Sequence, residues 1–144
     1  MSEQNYANHR RFVPMFHGVL FWLLALTLIG SLVNLYQSLG NHERLYSASL
    51  IVVLDASVIL LFFFCRIFAL KAQDRAIRAE ENLRHFALTG KLLDARLTVR
   101  QIIGLRFAPD EEFVDLARRA AAEGMSEDAI KRGVKNWKAD TYRV

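Results

Sequence analysis

Two stretches decide the architecture of this chain: FVPMFHGVLFWLLALTLIGSLVNLY at residues 12–36, and SASLIVVLDASVILLFFFCRIFAL at residues 47–70. The first has no charged side chain between Gly18 and Leu35, and His17 is its only histidine. A run of that length crosses a hydrocarbon core of about 30 Å as a helix. Arg10 and Arg11 precede it as they would a signal peptide, but the apolar run is too long and no A-x-A cleavage site follows, so a retained span is expected. The second stretch carries one carboxylate, Asp55, before Arg66 near its far end. Between the two, Gln37–Tyr46 with Gly40 and Asn41 is long enough only to reverse direction. An all-α integral membrane helical hairpin follows, with spans at about 14–36 and 47–70.

The rest of the chain has a different composition. Apolar residues make up 53% of the 144 residues, and nearly all of the surplus lies before Lys71; from there on, fifteen Lys or Arg face twelve Asp or Glu. That mixture suits a water-exposed segment. The chain therefore divides into an N-terminal segment at 1–11, a transmembrane hairpin at 12–70, a juxtamembrane helix at 71–89 and a helical C-terminal domain at 90–144. Lys and Arg fix the orientation, because basic flanks stay on the cytoplasmic side. Arg10, Arg11, Arg66, Lys71, Arg75 and Arg78 flank the spans, whereas the connecting loop has only Arg44, offset by Glu43. Both termini are expected in the cytoplasm, with the lipid bilayer as first partner.

Residues 71–88 contain neither Pro nor Gly and are rich in Ala, Arg and Glu, so the second span is expected to continue as a helix beyond the bilayer. Asp55, Val58, Phe62, Cys65, Ala69, Ala72, Ala76, Ala79, Leu83 and Phe86 recur at steps of three and four, a heptad seam. Small residues on such a seam allow close backbone approach, which points to a homo-oligomeric or intramolecular helix contact. Ala is also simply the best helix former and fills such positions by composition.

Further on, Gly90 offers a stop, and Thr98 with Gln101 has the spacing of a capping box for a short helix reaching about Phe107. Pro109 fits a first helical position, followed by the dipole-complementing Asp110, Glu111 and Glu112 and the apolar face Phe113, Leu116, Ala117, Ala120 and Ala121. Gly124 ends that helix and Ser126 caps the next, whose Ile130, Val134 and Trp137 share one side. Lys131, Arg132, Lys135 and Trp137 make a candidate docking surface on this tail.

Four stretches carry a resemblance: QNYANHRR at 4–11, ALKAQDRAIRAEE at 69–81, GLRFAPDEE at 104–112 and IKRGVKNWKADTYRV at 130–144. In combination they resemble a family of small bacterial two-span membrane proteins grouped as a domain of unknown function, and the likeness covers almost the whole chain. It implies a bacterial inner membrane and no activity, cofactor or partner.

Chemistry-bearing residues are few. Asp55, near mid-membrane and level with about Leu28, is costly there unless neutral, paired or facing water, and Thr27 and Ser31 are its nearest candidate hydrogen-bond partners. Its structural reading is an acid that pins helices together in an oligomer; its functional reading is a proton-responsive or ion-contacting group. Arg66 lies about 16 Å further along the helix, too far for a direct pair, and can snorkel to the interface near His17. The single cysteine forms no internal disulfide. No phosphate loop, metal-spaced His and Cys set or nucleophile and base pair occurs, so neither an enzyme nor a cofactor is indicated.

The expectation for function is a membrane-anchored interaction or scaffold protein, self-associating or joined to a membrane complex. The alternative is a small ion-conducting or proton-sensing oligomer using Asp55. A third is a membrane-tethered helix-turn-helix DNA binder, disfavoured because Glu127 and Asp128 would occupy the turn that approaches phosphate.

Overall fold

The computed structural model describes residues 4–8 and 12–140; Arg10, Arg11 and the last four residues of the 130–144 stretch lie outside that set. The described residues are helical with no strand. The order is a π-helical segment Pro14–Leu20, then α1 (Phe21–Gln37), α2 (His42–Thr89), α3 (Val99–Leu105), α4 (Asp110–Glu123) and α5 (Glu127–Gly133). The described residues form two compact units, one of residues 12–68 and one combining 4–8 with 69–140.

In the first unit, Pro14 opens the helix where a missing N–H costs nothing. His17 reaches back one turn, and its Nδ1 lies 3.1 Å from Val13 N as an acceptor for that otherwise unpartnered donor. The π-helical start is a feature that apolar periodicity does not reveal. Gly40, at φ +91°, makes the reversal before α2. Pro14–Gln37 and α2 are both long and apolar enough to cross a membrane, with mean hydropathy 2.1 and 2.6 over their most apolar windows, of which only 6% is buried. Each of the six Ser and Thr hydroxyls between Pro14 and Leu70 donates to a carbonyl three or four residues earlier in the chain: Thr27, Ser31, Ser38, Ser47, Ser49 and Ser57. Such self-contained hydrogen bonding suits surroundings that offer no partner.

The second unit has a conventional interior. Leu93, Leu97, Ile102, Leu105, Ala108, Phe113, Leu116, Ala117, Ala120, Ile130 and Val134 form one buried cluster. Local signals set its helices. Thr98 and Gln101 form the full capping box, and Gln101 Nε2 also donates to Met125 O at 2.8 Å, tying the start of α3 to the α4–α5 turn. Gly124 closes α4 in the left-handed region at φ +62°, and Ser126 accepts from Ala129 N to start α5. Pro109 is expected at the first helical position but is the N-cap of α4, whose first residue is Asp110. Gly104 has a packing role: a Cβ there would meet Glu127 O at 3.1 Å and Ile130 Cγ2 at 3.2 Å, tighter than ordinary contact, so any side chain would push α3 and α5 apart by a few tenths of an ångström.

Candidate functional site

The first unit holds the residues read as an intramembrane polar set. Ala48 is buried and Val52, Asp55, Ile59, Phe62 and Arg66 are half-buried, at alternating steps of four and three, so one stripe of α2 faces inward. Phe62 stacks on Phe16 at 4.2 Å, and the Arg66 guanidinium lies 5.9 Å from the same ring. Phe16 also meets His17 edge-on at 5.1 Å, so the two interfacial groups share an aromatic neighbour. Thr27 and Ser31 do not serve Asp55. Their hydroxyls go to Leu23 O, Leu24 O and Leu28 O, because a carbonyl on the same helix is always within reach. Among the described residues Asp55 makes no hydrogen bond or ion pair.

The heptad seam splits. Asp55, Phe62 and Ala69 face partly inward, but Val58 and Cys65 are exposed, as are Ala72, Ala76, Ala79, Leu83 and Phe86. What α2 buries after residue 70 is another face, centred on Ile77 and Glu81. The cause is a polar clamp around Arg84. Its Nε donates to Asp110 Oδ1 at 2.7 Å, one terminal nitrogen donates to Glu81 at 3.1 Å and the other to Ala108 O at 2.8 Å. The guanidinium plane lies 4.3 Å from the Phe113 ring centre. One side chain thus fastens α2 to the α3–α4 junction and to the start of α4. Burial pushes the Glu81 carboxyl above its ordinary value, and Arg84 opposes that rise.

Glu112 makes a second clamp. Its two carboxylate oxygens accept from Lys135 N at 2.9 Å, Asn136 N at 3.0 Å and Asn136 Nδ2 at 2.9 Å, which holds the segment after α5 against α4. The Lys135 N–H bond is the chief reason this carboxyl sits below the usual range. A third involves the N-terminal segment: Tyr6 OH reaches both Asp128 oxygens at 2.7 and 2.8 Å, Arg132 donates to Tyr6 OH at 3.1 Å, and Gln4 Oε1 accepts from Asp140 N at 2.7 Å. The Tyr6 hydroxyl lowers the Asp128 carboxyl and, from its other side, raises Arg132.

These contacts revise the candidate docking surface. Lys131 is turned inward, pairing with Glu127 at 2.6 Å and lying over Phe107, because the acid one turn earlier and the ring beneath it hold its stem. Trp137 packs against Phe107 at 4.6 Å and belongs to the core edge. Arg132 is exposed but paired with Asp128 at 3.0 Å. Lys135 alone of the four has an exposed side chain with no ion pair among the described residues. A groove of about 370 Å³ nearby sets Glu111, Glu112 and Asp115 beside Arg118, Arg119 and Lys135, with Leu116 and Gly133 completing its lining. No cluster of three or more metal-ligating side chains occurs among the described residues.

Periodicity had no means of finding Tyr6, Arg84, Gly104 or Glu112, yet each falls within or beside a stretch that carries the resemblance. Gln4 and Tyr6 meet Asp128, Arg132 and Asp140; Glu81 and Asp110 meet on Arg84; Glu112 holds Lys135 and Asn136. The motifs scattered along the sequence are the parts of one clamped unit. The chain belongs to the family of unknown function DUF6526, whose model matches residues 1–144. No curated protein and no solved structure matches the chain.

Proposed function

We propose that this member of the family is a two-span protein of the bacterial inner membrane that presents a clamped helical unit at the cytoplasmic face and works by assembly, either with itself or as an accessory subunit of a membrane complex. The observation that carries this reading is the reversal of burial between the two units. In the helices of residues 14–70 the large apolar side chains point outward, with Leu26, Ile29, Leu54 and Leu61 each about 60% exposed, while the hydroxyls are satisfied within their own helix. Removing that surface from water is what lipid or a partner helix supplies. The Arg84, Glu112 and Tyr6 clamps tie this unit's own elements together, while charged side chains such as Arg75, Glu80 and Lys135 stay exposed on its surface, an arrangement that supports docking.

Three measurements test the reading. Alkaline carbonate should leave the full-length chain in the membrane pellet, and thiol labelling of single cysteines placed at Asn41 and Ala139 should report opposite sides of the bilayer. The mass of the particle in native lipid discs should then exceed that of one chain. Extraction by carbonate refutes the anchor; a strictly monomeric chain without co-purifying protein refutes assembly.

A second reading is favoured by one observation, Asp55 on the inward stripe with no hydrogen-bond or ion-pair partner among the described residues. A carboxyl on a helix surrounded by lipid is costly unless it faces water or meets a polar group of another chain. Asp55→Asn should change proton or ion flux through a reconstituted assembly if the group titrates in function; unchanged flux with intact assembly removes this reading.

A further inference from the structure

We infer that the exposed face of α2 between Ala72 and Phe86 is the seam of a parallel two-stranded contact with a second copy of this chain, registered by reciprocal Arg75–Glu80 pairs. The inference rests on the membrane-anchored reading above and names the surface through which assembly occurs.

Ala72, Ala76, Ala79, Leu83 and Phe86 occupy alternating d and a positions of a heptad, and all five are exposed; Leu83 and Phe86, at 68% and 51%, are large apolar side chains left in the open. The chain's own clamped unit does not compete for this face. At about 100° per residue, Ile77, Glu81 and Arg84 lie on the side of the helix roughly opposite the seam. Those are the positions that the chain itself buries or fastens. Nothing in the helical unit has to open for a second helix to reach the seam.

Charge identifies the occupant. With Ala76 at an a position, Arg75 is g and Glu80 is e of the following heptad, on either flank of the seam. In a parallel pair, g of one helix faces the following e of the other, so Arg75 of each copy meets Glu80 of its partner, twice by symmetry. Both residues are exposed, and neither forms an ion pair within the chain among the described residues. Copies inserted in one membrane with the same topology are parallel without further constraint. An isologous partner therefore satisfies the apolar seam and both charges together, and the small Ala positions let the two backbones come close.

The test uses the full-length chain in membranes with Cys65→Ala as background and a single new cysteine. Ala79→Cys, at d, should cross-link to its own counterpart about fivefold more than Arg78→Cys, at the outward c position. Arg75→Glu and Glu80→Arg should each lower the Ala79→Cys cross-link about threefold or more, and combining the two should restore it, because the reversed pair is again complementary. Equal cross-linking at the two cysteine positions overturns the seam. Single reversals without effect, or a double variant no better than the singles, overturn the register. The carbonate extraction is read separately on the same samples, so loss of the anchor is distinguishable from loss of the seam.

Discussion

The α2 helix and the α3–α5 unit are both built of helices, yet they dispose of polar groups in opposite ways. Between residues 42 and 68 of α2, hydroxyls are absorbed by carbonyls three or four residues earlier and apolar side chains face out. In α3–α5 the apolar side chains are interior and the polar ones bind across elements, Gln101 to Met125 O and Glu112 to Lys135 and Asn136. Helical propensity alone would not separate these regions; what separates them is where a hydrogen bond can be found. The first design holds where the surroundings offer none, and the second gains its specificity from long-range partners.

Core truncation gives the largest expected break in this comparison. Phe113 is fully buried and lies under Arg84, so Phe113→Ala should cost about 3–5 kcal/mol and render residues 90–140 protease-sensitive in intact membranes. Leu61→Ala, whose side chain is already exposed, should leave protease resistance unchanged. Comparable sensitivity in both variants would mean that the two regions do not differ as described.

Arg84→Leu comes next. It leaves Glu81 buried without its cation and frees Ala108 O and Asp110, and it should cost about 2–4 kcal/mol, at the lower end because Asp110 is solvent-exposed. Cleavage should then appear first between residues 89 and 99, while the α2 stretch within the membrane pellet stays protected. Gly104→Ala is expected to cost about 1–3 kcal/mol, since the new Cβ meets the Glu127 carbonyl, which is backbone and cannot swing aside. Thermal unfolding followed by tail proteolysis reads both variants on one scale.

How legible the protein was depends on the sequence distance over which each determinant acts. The two apolar runs, the Thr98–Gln101 box, the Gly124 stop and the Ser126 cap act within a few residues, and the structure has all of them. The seam was legible only as a period. From Ala72 onward, which side of the helix the chain would cover was decided by Arg84 reaching Asp110, 26 residues away, and no periodicity carries that information. Lys131 and Trp137 turn inward for the same reason, because their common neighbour Phe107 comes from the α3–α4 junction. Tyr6 and Asp128, 122 residues apart, could be joined only by the fold. The resemblance stretches held this information in another form, as residues that assemble into one unit.

Acid sharpens the comparison with the smallest expected effect. Glu112 is held below its ordinary value of 4.5 by the N–H groups it accepts, so its contribution is present above about pH 4.5 and is lost as pH falls through the depressed folded-state value. Glu81 has the opposite sign. Its carboxyl is raised by burial, so protonation relieves a cost, and its contribution is fully present below 4.5 and declines as pH rises through the raised folded-state value. Acidification should therefore loosen the segment after α5 while the Glu81 side of the Arg84 clamp is spared. Glu112→Gln keeps one acceptor oxygen but turns an amide toward N–H donors, and it should cost about 1 kcal/mol or less at neutral pH because the site is solvent-exposed. That variant should also lose the acid-dependent part of tail cleavage below pH 4.5. If its profile stays as steep as that of the unaltered protein, the acid response belongs to another carboxylate, with Asp128 beneath Tyr6, also held low, the next to replace.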